Sequence, residues 1–136
     1  MIQPTLNSIR IYLHILAACV WLGGQIVLAG VVPRLRKSNP EALTNIAKGY
    51  AAIAWPAMIL IVFTGAWGLA EVDVANNSSE YMVTLGIKML LVAIAVIATL
   101  IHSNGTSKLA KGLGGAIGLL ATLLAAYCGI LLAHVG

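Results

Sequence analysis

Charged side chains are scarce in this sequence. Only 9% of its 136 residues are charged, whereas 60% are apolar, and ordinary soluble domains carry about 25% charged residues. The chain has four acidic residues and shows no pair of carboxylates suited to acid–base chemistry, no Ser/His/Asp arrangement, no phosphate-binding loop and no nucleic-acid motif. The sequence therefore excludes hydrolases, nucleotide-dependent enzymes and nucleic-acid partners, and water is not the main solvent of this chain.

Cysteine is also rare. The two cysteines, Cys19 and Cys128, both lie inside apolar runs. Cysteines in such surroundings pack as small apolar side chains more often than they form disulfides. We therefore expect no disulfide framework, and the cysteines do not indicate a redox compartment.

What the sequence does contain is four long apolar runs, at about residues 9–33, 47–70, 82–102 and 112–134. A helix that spans a bilayer needs about 20 such residues. The first run is too long for a signal peptide and lacks a small-x-small cleavage site. We predict an all-α fold, a single-domain integral membrane four-helix bundle over residues 1–136 whose main partner is the lipid bilayer.

The charges are divided among the predicted loops. The first and third loops hold the bases Arg34, Arg36, Lys37, Lys108 and Lys111, and the second loop holds the acids Glu71, Asp73 and Glu80. Because Lys and Arg concentrate in cytoplasmic loops, we predict that the first and third loops are cytoplasmic. Both termini and the second loop then lie outside.

Polar residues inside the membrane are costly and therefore informative. On the first predicted helix, Arg10, His14, Trp21 and Gln25 fall within about 40° of one direction, and Cys19 lies on the opposite side. We predict that this polar face points into the bundle. On the third predicted helix, one face carries the polar residues Tyr81, Thr84, Lys88, Thr99 and His102.

Depth in the membrane separates the three histidines. At about 1.5 Å per residue, His14 and Lys88 lie one to two turns from the outer surface, and His102 lies roughly 20 Å deeper than Lys88. His134 returns to the outer side. We therefore predict an outer-leaflet cofactor site of Arg10, His14, Lys88 and His134, in which His14 and His134 bind the metal.

Three aromatic residues, Trp67, Tyr81 and Tyr127, are predicted to close this site. Such a site would suit haem, because imidazole can bind the iron, aromatic side chains can line the macrocycle and cations can pair with its carboxylates. These residues also have structural interpretations. A histidine in the membrane can form a hydrogen bond between two helices, and Lys88 or His102 can extend its side chain to the membrane surface.

Helix packing is indicated by a stripe of small residues on the fourth predicted helix. The stripe consists of Gly114, Gly118, Thr122, Ala125 and Gly129. Small residues at steps of three and four permit close approach of a second helix. The stripe predicts close packing and offers a face for a membrane protein partner.

Four segments resemble a known family. They are LHILAACVWLGGQ at 13–25, AWPA at 54–57, TGAW at 64–67 and LGIKMLLV at 85–92. Together they resemble the CopD-type copper-resistance membrane domain, in its short stand-alone bacterial form, which implies a bacterial plasma membrane. A more distant resemblance is to HemJ-type four-helix haem proteins, whose functional His and Lys match His14 and Lys88. The sequence departs from the HemJ pattern after Pro33 and at His102, so the resemblance implies a cofactor site but not protoporphyrinogen oxidation.

Three functions follow as hypotheses. The first is binding of haem b for electron transfer or redox chemistry through His14, with Lys88 or His134 as second ligand, or with Lys88 and Arg10 on the propionates. The second is copper handling or uptake, although the Met and Cys ligands that Cu(I) prefers are scattered. The third is a structural accessory subunit of a larger membrane complex.

Overall fold

The computed structural model describes residues 2–135, and these form four α-helices with no strand among them. Helix α1 spans Leu6–Ser38, α2 spans Ala42–Ala70, α3 spans Ser79–Asn104 and α4 spans Lys108–Val135. All four are long and apolar enough to cross a membrane. The all-α, four-helix fold class is confirmed.

Every helix begins a few residues before its apolar run. At α1 and α3 polar side chains cap the added turn. Thr5 and Ser8 form a capping box at the start of α1, with the Thr5 side chain accepting from the Ser8 amide at 3.1 Å. Ser78 accepts from the Tyr81 amide at the start of α3. Such side chains satisfy amides that the first turn leaves without helical partners.

The first apolar run ends at about residue 33, and as the predicted end of the first helix this position is wrong. Pro33 lies inside α1, which continues to Ser38 and ends with the Asn39 amide donating to the Leu35 carbonyl at 2.8 Å. Proline removes one helical hydrogen bond, but long membrane helices tolerate this loss. The basic residues Arg36 and Lys37 occupy the last turn, where a positive charge is favourable with the helix dipole.

The chain forms two compact units, divided between Val72 and Asp73. The first unit is the hairpin of α1 and α2, and the second is the hairpin of α3 and α4. The expectation of a single four-helix domain stays a prediction.

Most of the buried side chains of each hairpin are small, while many large apolar side chains lie on the outside. In the first hairpin Ala17, Ala54 and Ala57 are buried, whereas Ile59 and Phe63 are exposed. This arrangement is typical of helices in lipid, where close packing of small residues holds helices together and large apolar residues face acyl chains.

The small-residue stripe on α4 packs against α3, as predicted. Gly114, Gly118 and Ala125 are buried, and a Cβ on Gly118 would lie 3.6 Å from the Cβ of Ala98. The buried line continues through Cys128, which packs as a small apolar side chain. The stripe therefore packs within its own hairpin, and a protein partner on this face stays a prediction.

Candidate functional site in the first hairpin

The polar face of α1 lies inside the first hairpin. Trp21 is buried, Arg10, His14 and Gln25 are half-buried, and Cys19 is exposed. Because α-helical period sets these directions, the prediction that His14 and Cys19 point to different sides is confirmed. A metal site built from this pair is thereby excluded.

His14 is tied to α2 by a hydrogen bond. Its Nδ1 lies 2.8 Å from the hydroxyl oxygen of Thr64. Thr64 is 1% exposed and is the most deeply buried polar residue among those the structure describes. The ring also lies beside Gly65 of α2, where an added Cβ would be 3.4 Å from Cε1 of His14. The imidazole is therefore fixed between the two helices.

Arg10 lies one turn before His14 and makes its own set of polar contacts, one of which also reaches Thr64. Its Nη2 donates to Oδ1 of Asn7 at 2.6 Å, and its Nη1 donates to the Thr64 carbonyl at 3.4 Å. Its Nε lies 3.9 Å from Oε2 of Glu71, whose other carboxylate oxygen accepts from Nε1 of Trp67. At 3.9 Å and with Glu71 half exposed, this ion pair is weak. A carboxylate ligand can compete for the guanidinium.

Trp21 and Gln25 contribute polar atoms that stay unsatisfied. Among the described residues, Nε1 of Trp21 and Oε1 of Gln25 are buried without a hydrogen-bond partner. The rest of Trp21 is well packed, because its ring meets Trp55 edge-on at 6.4 Å and its carbonyl accepts from the Tyr50 hydroxyl. A donor and an acceptor one turn apart on the same buried face are suited to a shared hydroxyl group or water molecule.

Lys88 and His134, the other two predicted site residues, belong to the second hairpin. Lys88 is half-buried against α4, where a Cβ on Gly129 would lie 3.3 Å from its Nζ. His134 is exposed near the end of α4. Tyr127, which was expected to close the site, is also exposed, at 58%. Their role as ligands stays a prediction.

His102 has a structural partner. Its Nδ1 lies 2.6 Å from the backbone carbonyl of Lys111, so it joins the last turn of α3 to the first turn of α4. An apolar groove of about 450 Å³ lies in the same region, lined mainly by Ile94, Ile97 and Leu113. Its lining includes no histidine or charged residue, and it is therefore no metal site.

The donor set within residues 2–135 limits the kind of metal that can bind. No group of three or more His, Cys, Asp or Glu side chains there is placed to hold a metal ion. A bare ion needs several protein ligands, whereas haem iron already has four ligands from its macrocycle and takes one or two from the protein. A single anchored histidine is compatible with haem, whose macrocycle supplies the other ligands.

Sequence analysis missed two residues that organise this site. Thr64 was noted only as part of a motif, and Glu71 only as a loop charge, yet they contact His14 and Arg10 respectively. Thr64 carried a usable signal, because it is a polar residue in an apolar run. No family model matches the chain, and no curated protein or solved structure shows significant similarity to it.

Proposed function

We propose that this chain is an integral membrane protein that binds haem b at His14 and serves in electron transfer or redox chemistry. The observation that carries the proposal is the anchored imidazole of His14 on the interior face of α1, hydrogen bonded through Nδ1 to buried Thr64. A histidine that binds a metal through one ring nitrogen is usually held by a hydrogen bond at the other. The resemblance to CopD-type and HemJ-type proteins supports the same assignment.

The residues around His14 suit the group. The imidazole would bind the iron, and Arg10 would meet a propionate by exchanging its contact with Glu71. The absence of a side chain at Gly65 keeps the His14 ring uncrowded, since a Cβ there would already touch it. When bound, haem supplies a one-electron couple at its iron. The assignment of Lys88 and His134 as further ligands belongs to the same proposal.

Orientation and location are further parts of the proposal. The division of basic and acidic loops supports outer termini, and the resemblance supports a bacterial plasma membrane. Copper handling is the less supported function, since Cys19 is exposed and Cys128 is packed in the α4 stripe. An accessory role gains no specific support, because the α4 glycines contact α3 of the same hairpin.

Haem reconstitution tests the proposal. Purified protein titrated with haemin is expected to develop a Soret band at one haem per chain. We expect His14→Ala to weaken haem binding at least about 100-fold, because it removes the iron ligand, whereas His102→Ala should bind as the parent does. His102 makes its bond to a backbone carbonyl at the α3–α4 end, so it is a matched control.

Two results would contradict the assignment. If His14→Ala kept full haem affinity while its far-UV circular dichroism matched the parent, His14 would not be the ligand. If the parent protein took up no haem but contained stoichiometric copper by elemental analysis, copper handling would replace the proposed function.

A further inference from the structure

The hydroxyl group of Thr64 makes hydrogen bonds whose directions are chemically determined. Its Oγ1 lies 2.6 Å from the Leu60 carbonyl oxygen, and a carbonyl can only accept. The same oxygen lies 3.2 Å from the Ile61 carbonyl oxygen. Two oxygen atoms 2.6 Å apart repel each other unless a proton lies between them, so the single hydroxyl proton of Thr64 points at these backbone carbonyls, chiefly at the nearer one, Leu60. At its contact with His14, 2.8 Å away, the Thr64 oxygen has no second proton to give and can only accept.

From this accounting we propose that Thr64 is a positioning residue that keeps the proton of neutral His14 on Nδ1 and so makes Nε2 the basic nitrogen of the ring. This tautomer follows from the hydrogen bonds of Thr64. What Nε2 binds, the iron of haem, rests on the proposed function.

Burial makes this control effective. Thr64 is 1% exposed, so water does not readily replace its hydroxyl as the acceptor for Nδ1–H. A buried donor without an acceptor is unfavourable, and the ring therefore loses stability in any tautomer or rotation that breaks the bond. Thr64 in this way fixes both the proton and the direction in which Nε2 points.

The other histidines provide internal references. Nδ1 of His102 lies 2.6 Å from the backbone carbonyl of Lys111, so this ring is also protonated on Nδ1 when neutral, but through an acceptor that no side-chain substitution removes. His134 is exposed and serves as the reference for an imidazole whose tautomers are set by solvent. Thr99 offers a matched control threonine, since its hydroxyl donates to the Ala95 carbonyl at 2.8 Å and makes no hydrogen bond to a histidine.

The experiment is ¹⁵N NMR of the full chain, labelled at histidine and held at alkaline pH, where protonated and bare ring nitrogens resonate in separate ranges. In the parent and in Thr64→Ser we expect His14 to carry its proton on Nδ1. In Thr64→Val we expect about a fivefold change in the tautomer ratio of His14, the size that the net contribution of one hydrogen bond implies. His102 should be unchanged in all variants, and Thr99→Val should leave His14 unchanged.

The same variants titrated with haemin separate this inference from the proposed function. Loss of a hydrogen bond that orients a metal-binding histidine lowers affinity about tenfold, so Thr64→Val should bind haem about tenfold more weakly and Thr64→Ser as the parent does. A shifted tautomer in a protein that takes up no haem would refute the haem assignment and support the role of Thr64. If Thr64→Val binds haem and its His14 tautomer ratio is unchanged, the role of Thr64 is refuted and the haem assignment is supported.

The spectrum of the parent protein is decisive even if Thr64→Val does not fold. A proton on Nε2 of His14 in that spectrum overturns the proposal outright.

Discussion

The close contact between α3 and α4 at Gly114 makes the sharpest prediction about stability. A Cβ on Gly114 would lie 2.8 Å from both the Ala98 carbonyl oxygen and the His102 amide nitrogen. Both are backbone atoms of α3 and cannot turn away as a flexible side chain can. A single added methyl group must therefore push the two helices apart.

The magnitude follows from two opposing effects. Overpacking costs about 1–3 kcal/mol, whereas replacing glycine by alanine inside a helix gains about 1 kcal/mol. Gly112 isolates the second effect, because a Cβ there meets nothing within 4 Å. We expect Gly112→Ala to raise the free energy of unfolding, and Gly114→Ala to lie about 1–3 kcal/mol below it.

Thermal unfolding in one detergent, followed by far-UV circular dichroism, measures the difference. Gly118→Ala serves as a second control on the same face, because its Cβ would make an ordinary 3.6 Å contact with Ala98, and it should behave like Gly112→Ala. If Gly114→Ala melts at or above the temperature of Gly112→Ala, the approach of the two backbones is not as close as described, and the reasoning fails.

Three further outcomes are expected. A cysteine replacing exposed Val74 in the second loop should react with a membrane-impermeant maleimide from the outside of cells; reaction from the cytoplasmic side alone would reverse the proposed orientation. Gln25→Leu should raise the melting temperature, because it removes a buried acceptor that has no partner, at a gain of up to about 1–3 kcal/mol. A lower melting temperature would contradict this. The hydrogen bond from the side chain of Asn76 holds the pKa of Asp73 below its usual 3.8. This loop contact therefore stabilises the fold above that pH, and its contribution is lost as the pH falls through the lowered pKa. An NMR titration in which Asn76→Ala leaves the pKa of Asp73 unchanged would contradict this.

The number and class of the helices were predictable because hydrocarbon imposes a simple requirement. Four runs of about 20 apolar residues are enough to predict four spanning helices, since every backbone amide in lipid must bond within its own helix. The ends were less predictable. The first apolar run ends at about residue 33, yet α1 continues to Ser38, because backbone hydrogen bonds extend the helix past its apolar part.

The interior face of α1 was likewise determined by the sequence. The period of 3.6 residues places His14 and Trp21 together and Cys19 apart, and the burial of these residues agrees. Helical period acts within one helix, so it gives the direction of each side chain without knowledge of any neighbouring helix.

Only the tertiary structure decided what His14 contacts. The partner, Thr64, is 50 residues away in the chain, and the match between α1 and α2 that brings them together depends on how particular side chains interlock, such as Tyr50 against Gly24 and the edge-on pair of Trp21 and Trp55. Helical periodicity contains no information about how far one helix is shifted along the other. The sequence therefore determined which face of α1 is polar, and the packing of two helices determined which hydroxyl holds the imidazole on that face.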